Sequence, residues 1–221
     1  MSAPGGARPA GPEDRLLIAC ALRIEQAALR SGARGAARAH GTHTLLRTGM
    51  GPRAAERAVG HALEGPGAGR AAVLATGFCA GLVPGMHPGD LVVARETRDP
   101  RGTVTCTGTE LLAEALARAL PGRTVHTGVL TGSDHVVRGQ ERAELRATGA
   151  VAVDMESAAT LWTAVRGGGR PVAAVRVIVD APDHELVRIG TVRGGISAFR
   201  VLRAVLPAFH EWHRSSLLPR R

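Results

Sequence analysis

The sequence predicts an α/β fold in which a largely buried sheet is covered by helices. Short apolar runs such as Ala71–Thr76 (AAVLAT) and Pro171–Val179 (PVAAVRVIV) have strand length and little polar alternation. Between them lie segments of helical length, punctuated by Gly and Pro. Neither an internal repeat nor a second composition regime interrupts this rhythm.

In order, Arg15–Ala21 (RLLIACA) is a buried strand and Arg23–Arg30 a helix start. Thr42–Thr48 alternates and stops at Gly49-Met50-Gly51-Pro52, a turn whose proline suits the first position of a helix over Arg53–Leu63. Ala71–Thr76 is the next strand, running into a Gly-rich turn, Gly77-Phe78-Cys79-Ala80-Gly81, and Asp90–Ala94 follows a Pro88-Gly89 turn. Thr109 is placed to cap a helix over Glu110–Leu120, which Pro121-Gly122 ends. Then come strand Thr124–Leu130, helix Gly139–Thr148, strand Val151–Asp154, helix Ser157–Arg166 and the longest strand, Pro171–Val179. A final helix covers roughly Ala198–His213.

The 221 residues suffice for one well-filled core. Residues 1–14, rich in Ala, Gly and Pro, read as a disordered leader, 15–213 as a single domain and 214–221 as a basic tail. No apolar run reaches the roughly 18 residues of a membrane span, and the leader lacks the order of a secretory signal, so a cytoplasmic protein is expected. Cys20, Cys79 and Cys106 lack the paired spacing of a zinc site and suit a reducing compartment. The formal charge is +9, carried by Arg alone, since the chain has no Lys. These arginines are scattered among Asp and Glu, and the aromatic residues are three Phe and two Trp. Single-strand binding needs stacking platforms, so no nucleic-acid partner is expected.

Acidic residues stand at strand ends: Glu25 past the first, Asp154 and Glu156 at a short one, Asp180 after the longest. Ligands in open α/β sheets collect beyond the carboxyl ends of strands. Carboxylates gathered there can divide the work of acid, base and sugar holder; equally, Asp154 or Glu156 could only cap the helix that follows.

Val153-Asp154-Met155-Glu156-Ser157-Ala158-Ala159 resembles the acidic-Met-Glu signature of the nucleoside phosphorylase and nucleosidase superfamily. Ala21-Leu22-Arg23-Ile24-Glu25 resembles the N-terminal acidic stretch of methylthioadenosine/adenosylhomocysteine nucleosidases. Thr76–Val83 with Pro88-Gly89-Asp90-Leu91-Val92-Val93 is similar to the family's Gly-rich strand end and Pro-Gly-Asp run, and Arg176-Val177-Ile178-Val179-Asp180 to its Arg-Ala-Ile-Ser-Asp element. The segments fall in the family's order and span about residues 15–185. The resemblance implies a three-layer α/β/α sandwich with a mixed central sheet, a homo-oligomer such as a dimer, and no cofactor or metal.

It also implies roles. Asp180 matches the acid that protonates purine N7 so that the base leaves neutral, and an apolar setting such as Val177–Val179 favours the protonated form. Glu156 matches the carboxylate that grips the ribose 2′ and 3′ hydroxyls, with Met155 against the sugar face. Glu25 matches the base that activates water. Phosphate-using relatives carry Arg and Ser where this chain has Ala75 and Phe78, which argues for water, although another arginine such as Arg47 could restore phosphate binding. Val179 replaces a usual Ser before the acid, and Ala80 a Gly. His135 falls where nucleosidases stack a ring on adenine, with Val136 beside it; the alternative is a surface-loop His. Leu22 and Met50 match the pocket around the 5′ substituent, and Phe78 lines the same site; apolar residues there suit a hydrophobic 5′ group.

Arg176–Asp183 and Gly194–Trp212 look similar to phosphorylase-family proteins of hopanoid biosynthesis, which implies adenosylhopane as substrate. Within Ala198–His213, Phe199, Leu202, Leu206, Phe209 and Trp212 recur at helical spacing. Such a stripe is either the last core helix or a face that could touch a membrane peripherally. His40 with His43, and His210 with His213, have i,i+3 spacing, but no carboxylate or thiol completes a metal set, so surface histidines are expected. Hydrolysis releasing adenine leads; phosphorolysis, a methylthioadenosine/adenosylhomocysteine substrate and a non-catalytic binding member remain as alternatives.

Overall fold

Parallel strand pairing needs a crossover connection, and the apolar runs of this chain are separated by helices that supply one. The computed structural model describes residues 15–36, 43–65, 68, 70–182 and 191–217. The leader, His40, residues 183–190 and the end of the tail lie outside the described residues.

Strand β1 (Leu16–Cys20) leads into helix α1 (Arg23–Ala36) and lies between β2 (His43–Arg47) and β3 (Ala72–Gly81), parallel to both. Helix α2 (Pro52–Glu64) joins β2 to β3. β4 (Leu91–Asp99) forms an antiparallel pair with β5 (Gly102–Thr105), and α3 (Thr109–Ala119) leads to β6 (Val125–Gly132), parallel to β4. Then come α4 (Gln140–Ala147), β7 (Ala150–Asp154), α5 (Ser157–Arg166), β8 (Val172–Asp180), α6 (Thr191–Ala204) and α7 (Leu206–Ser216). β8 runs parallel to β3 and antiparallel to β4, while the end of β3 meets β7 antiparallel. With β6 parallel to β7, strands β3, β8, β4, β6 and β7 close into a ring within one mixed sheet.

Each central strand divides its side chains between two cores. Leu16 and Ile18, Leu74, Leu91 and Val93, and Val175 and Val177 face a core completed by α1, α3, α6 and α7. Leu17, Val73 and Ala75, Val92 and Ala94, and Ala174 and Ile178 face one completed by α2 and α5. The period of two thus serves a sheet sandwiched between helix layers, and the apolar runs look continuous because both faces are covered.

Several sequence expectations need correction. Gly77-Phe78-Cys79-Ala80-Gly81 is not a turn but the second half of β3, which makes β3, at 10 residues, longer than β8 at 9. Its backbone bonds are taken by β8, with a register shift at Cys79/Ala80. β5 has no apolar run to announce it: three of its four residues are exposed. Thr109 does not cap α3; Gly108 takes the cap position, left-handed at φ 64, and the Thr109 hydroxyl donates to Ala94 O. The final helix is two helices broken at Val205, because Pro207 in the first turn of α7 has no N–H to continue the ladder.

The apolar stripe of that region faces inward. Leu202, Leu206, Phe209 and Trp212 are fully buried and Phe199 packs on the same core, so none is available to lie on a membrane. Trp212 Nε1 donates to Thr107 O at 2.7 Å, which satisfies its one polar atom inside the core. Among the described residues no helix is long and apolar enough to cross a membrane. Phe209→Ala is expected to cost about 3–5 kcal/mol, the usual range for a fully buried ring. Urea unfolding should show a lower midpoint with an unchanged m-value.

Candidate active site

The alternation of β8 puts Arg176 on the face that carries Ala174 and Ile178, so a guanidinium enters an apolar layer at 1% exposure. It survives there because acceptors surround it. Arg176 Nη2 meets Asp154 Oδ2 at 2.5 Å and stands 3.9 Å from Glu156 Oε2, while Nε donates to Ser157 Oγ at 2.8 Å. Burial alone lowers the pKa of this group, but Asp154, Glu156 and Glu25 outweigh it, and the net shift is upward. Asp154 also accepts the Ser157 N–H at 3.0 Å, the first helical N–H of α5. Of the two acids in Val153–Ala159, Asp154 is therefore engaged as cap and counter-ion, and Glu156 is left for the cleft.

Glu25 occupies the first turn of α1, beyond the end of β1. Its Oε2 accepts N–H bonds from Ala21 and Leu22 at 2.9 and 2.8 Å, and its Oε1 accepts the Phe78 N–H at 2.8 Å. The close approach depends on Gly77, at φ 131. A Cβ there would lie 2.5 Å from Glu25 Oε1 and 2.7 Å from Arg176 Nη1. Glu25 and Arg176 thus face each other across bare backbone. Glu156 Oε1 accepts the Gly51 N–H at 2.8 Å, which ties the turn before α2 to the site. The Glu156 pKa is raised, first by burial; Arg176 opposes this, and Asp154 and Glu25 add to it.

Asp180 is the last residue of β8; the register shift skips Val179 and sets Asp180 opposite Ala80 of β3. Its Oδ2 forms an ion pair with Arg142 Nη2 from α4. Sequence reasoning missed Arg142. It sits in Gln140–Ala147 (QERAELRA), which looks like a solvated helix, yet Arg142 is buried and its Nε donates to Val137 O at 3.2 Å.

Glu25, Glu156 and Asp180 line one cleft of about 730 Å³, counting its open mouth, and so do Leu22, Met50, Phe78, His135, Val136 and Met155. The carboxylates are buried, while the rim is apolar and open: Met50 is 69% and Val136 63% exposed. His135 is also exposed, held at 2.7 Å by Asp134 and at 3.0 Å by Glu141, which raise its pKa. His135 thus lies in an exposed loop at the rim, held between two carboxylates.

The other histidines differ from expectation. His210 and His213 are buried, not on the surface, and His43 Nδ1 stands 3.1 Å from His210 Nε2, so β2 and α7 meet there. Among the described residues no group of three or more His, Cys, Asp or Glu could hold a metal ion. The three cysteines are free and buried. Burial pushes the Cys20 and Cys106 thiols up to about 12 and Cys79 higher still, which favours the neutral thiol in all three.

Comparison with known proteins places this geometry. A family model described as Phosphorylase superfamily matches residues 30–207. The 5′-methylthioadenosine/S-adenosylhomocysteine nucleosidase of Actinobacillus succinogenes is 32% identical over 162 residues, which are 64% of this chain and 69% of that protein. Among solved structures, the nucleosidase of the same name from Neisseria meningitidis, in complex with methylthio-immucillin-A, is similar with a TM-score of 0.68 and 18% identity, over 92% of this chain and 100% of the other. Native futalosine hydrolase of Helicobacter pylori has a TM-score of 0.68 and 16% identity, covering 92% of this chain and 98% of its own. At these identities the structural likeness shows a shared fold, the mixed-sheet α/β sandwich.

Two stability measurements test the site. Gly77→Ala must place a Cβ against Glu25 at a positive φ, a strain of roughly 1–3 kcal/mol, and its melting temperature is expected to fall. Glu156→Gln should do the opposite at neutral pH. A carboxyl whose folded pKa is raised loses stability as pH rises through that value, so ionised Glu156 opposes folding above it. The excess stability of the Gln variant should vanish below pH ~4, where both states of the parent are protonated. An equal melting temperature for the two proteins at pH 7 would refute this.

Proposed function

The chain belongs to the phosphorylase superfamily, as an enzyme of nucleosidase or phosphorylase type, and we propose that it hydrolyses the N-glycosidic bond of a 5′-substituted adenosine to release adenine. The observation that carries this reading is the convergence of Glu25, Glu156 and Asp180, distant in sequence, on one cleft. Bond breakage builds positive charge on the sugar and negative charge on the base. Carboxylates at the sugar end and an acid at the base end answer those two demands.

In the proposed reaction Glu25 takes a proton from the attacking water. Three backbone N–H groups hold its carboxylate, so its direction is set before substrate arrives. Glu156 accepts from the 2′ and 3′ hydroxyls, Met155 covers the sugar, and Asp180 delivers a proton to N7. Phe78, His135 and Val136 surround the base, and Leu22 and Met50 the 5′ group. Water is favoured over phosphate because the Phe78 N–H is already spent on Glu25, whose carboxylate would repel a phosphate. One observation favours phosphorolysis as a second reading: Arg176 Nη1 has no hydrogen-bond partner and adjoins Gly77, the cationic help that Ala75 and Phe78 lack.

The 5′ substituent is proposed to be hydrophobic, from the apolar, exposed rim at Met50 and Val136. Adenosylhopane is the proposed substrate, whereas the nucleosidases above are named for methylthio and homocysteinyl groups. A homodimer is part of the proposal, with the rim as the surface a second copy could share.

A mass-spectrometric screen of 5′-substituted adenosines, small thioethers and adenosylhopane included, is expected to detect adenine without added phosphate. Turnover only with phosphate would establish phosphorolysis instead. Asp180→Asn and Glu25→Gln should each lower turnover at least ~100-fold, the scale of a lost general acid or base. Unchanged rates in both would remove these residues from the chemistry.

A further inference from the structure

The ion pair between Arg142 Nη2 and Asp180 Oδ2 leaves two polar atoms over. Arg142 Nη1 and Asp180 Oδ1 are both buried and have no hydrogen-bond partner. Both residues line the cleft. Buried donors and acceptors are nearly always satisfied, so an adjacent unfilled donor and acceptor mark a place for a ligand. The guanidinium is not free to seek another partner, because Nε is held by Val137 O and Nη2 by Asp180. Its charge is fixed beside Asp180, between His135 and the Val153–Ala159 segment in the chain.

We propose that Arg142 is a leaving-group residue: Nη1 donates to the departing base, and Nη2 receives Asp180 as a carboxylate once its proton has passed to N7. The inference rests on the reading of Asp180 as the acid. In the step, the water oxygen bonds to C1′ as Glu25 takes its proton. The C1′–N9 bond breaks, its electron pair moves into the purine, and N7 gains the proton from Asp180. One water is consumed, and Glu25 releases its proton to solvent, which balances the one that Asp180 takes up. In the substrate-free ion pair Asp180 is a carboxylate, so it takes up a proton from solvent as the nucleoside binds; passing that proton to N7 restores the charges of the pair, and the protein need not reorganise to stabilise them. Fixed dipoles and charges of this kind act where charge develops in the transition state. A tether between α4 and β8 is the competing role, and it would not depend on the leaving group.

That difference supplies the test. The nucleoside that the screen identifies is compared with a 4-nitrophenyl riboside bearing the same 5′ group, whose nitrophenolate departs without protonation. Arg142→Gln is expected to slow adenine release ~100-fold, on the scale of a lost transition-state donor, and to leave nitrophenolate release within about threefold of the parent. Arg142→Lys keeps the charge but not the fork, and should fall between. It also serves where the Gln variant does not fold, as judged by circular dichroism. Equal losses on both substrates assign Arg142 to the tether and overturn the proposal, as do unchanged rates on both. Asp180→Asn separates the two readings. If it slows adenine release and neither Arg142 variant does, only the present inference fails; if it too has no effect, the acid assignment fails and takes this inference with it.

Discussion

One buried cation organises this molecule. Arg176 projects from the middle of an otherwise apolar strand and is enclosed by Asp154, Glu156 and Glu25. Each of those carboxylates, taken alone into such a layer, would be costly to ionise. Around a shared guanidinium they can coexist, and the planar fork suits the task better than an ammonium. Nε and Nη2 reach Ser157 and Asp154 at once, which fixes β8 to the β7–α5 junction. The compensation is incomplete, since burial still raises Glu156. That residual tension fits a group kept for binding rather than for the stability of the fold.

The sheet topology delivers the partners to Arg176. β1, β3 and β8 run parallel, so Glu25 just past β1, Gly77 in the middle of β3 and Arg176 of β8 come level, with Asp180 at the end of β8. The ring closed by β7 brings Asp154 and Glu156 in from the other direction. A plain open sheet would leave β7 at a distance from β3. Closure is thus what gathers residues of separate strands into one cleft. Gly77 is the point of least tolerance, because the approach of Glu25 to Arg176 uses the space of a missing side chain.

Legibility in the sequence followed chemistry that is local. The buried strands, the acidic strand ends and the acidic-Met-Glu segment could be read because residue type and position coincide over a few residues. Position alone did not separate Asp154 from Glu156; the resemblance singled out Glu156, and the structure engages Asp154 with the Ser157 N–H and Arg176. Gly77–Gly81 looked like a turn because glycines usually mark one, whereas here they allow a strand to pass close to a carboxylate. Arg142 had no local sign at all. A basic residue among Gln, Glu and Arg reads as solvated, and only the placement of α4 over the end of β8 shows it buried against Asp180. The break at Val205 was visible in Pro207 but was outweighed by the apolar spacing that runs through it.

The cleft is polar at its floor and apolar at its rim, and the two halves discriminate differently. In the proposed reaction the floor reads the ribose and the base with buried charged groups. A ligand lacking a hydroxyl there leaves Glu156 unpaired in a desolvated site, the kind of mismatch that rejects analogues by roughly 10⁴-fold or more. The rim at Leu22, Met50 and Val136 offers only contact area, and one methylene more or less in such a pocket changes preference by roughly 10–200-fold. For the proposed reaction this asymmetry predicts strictness toward the nucleoside core and tolerance toward the 5′ group. The buried charges are coupled through Arg176, so a change in one disturbs the others, while Met50 and Val136 stand exposed and can change alone.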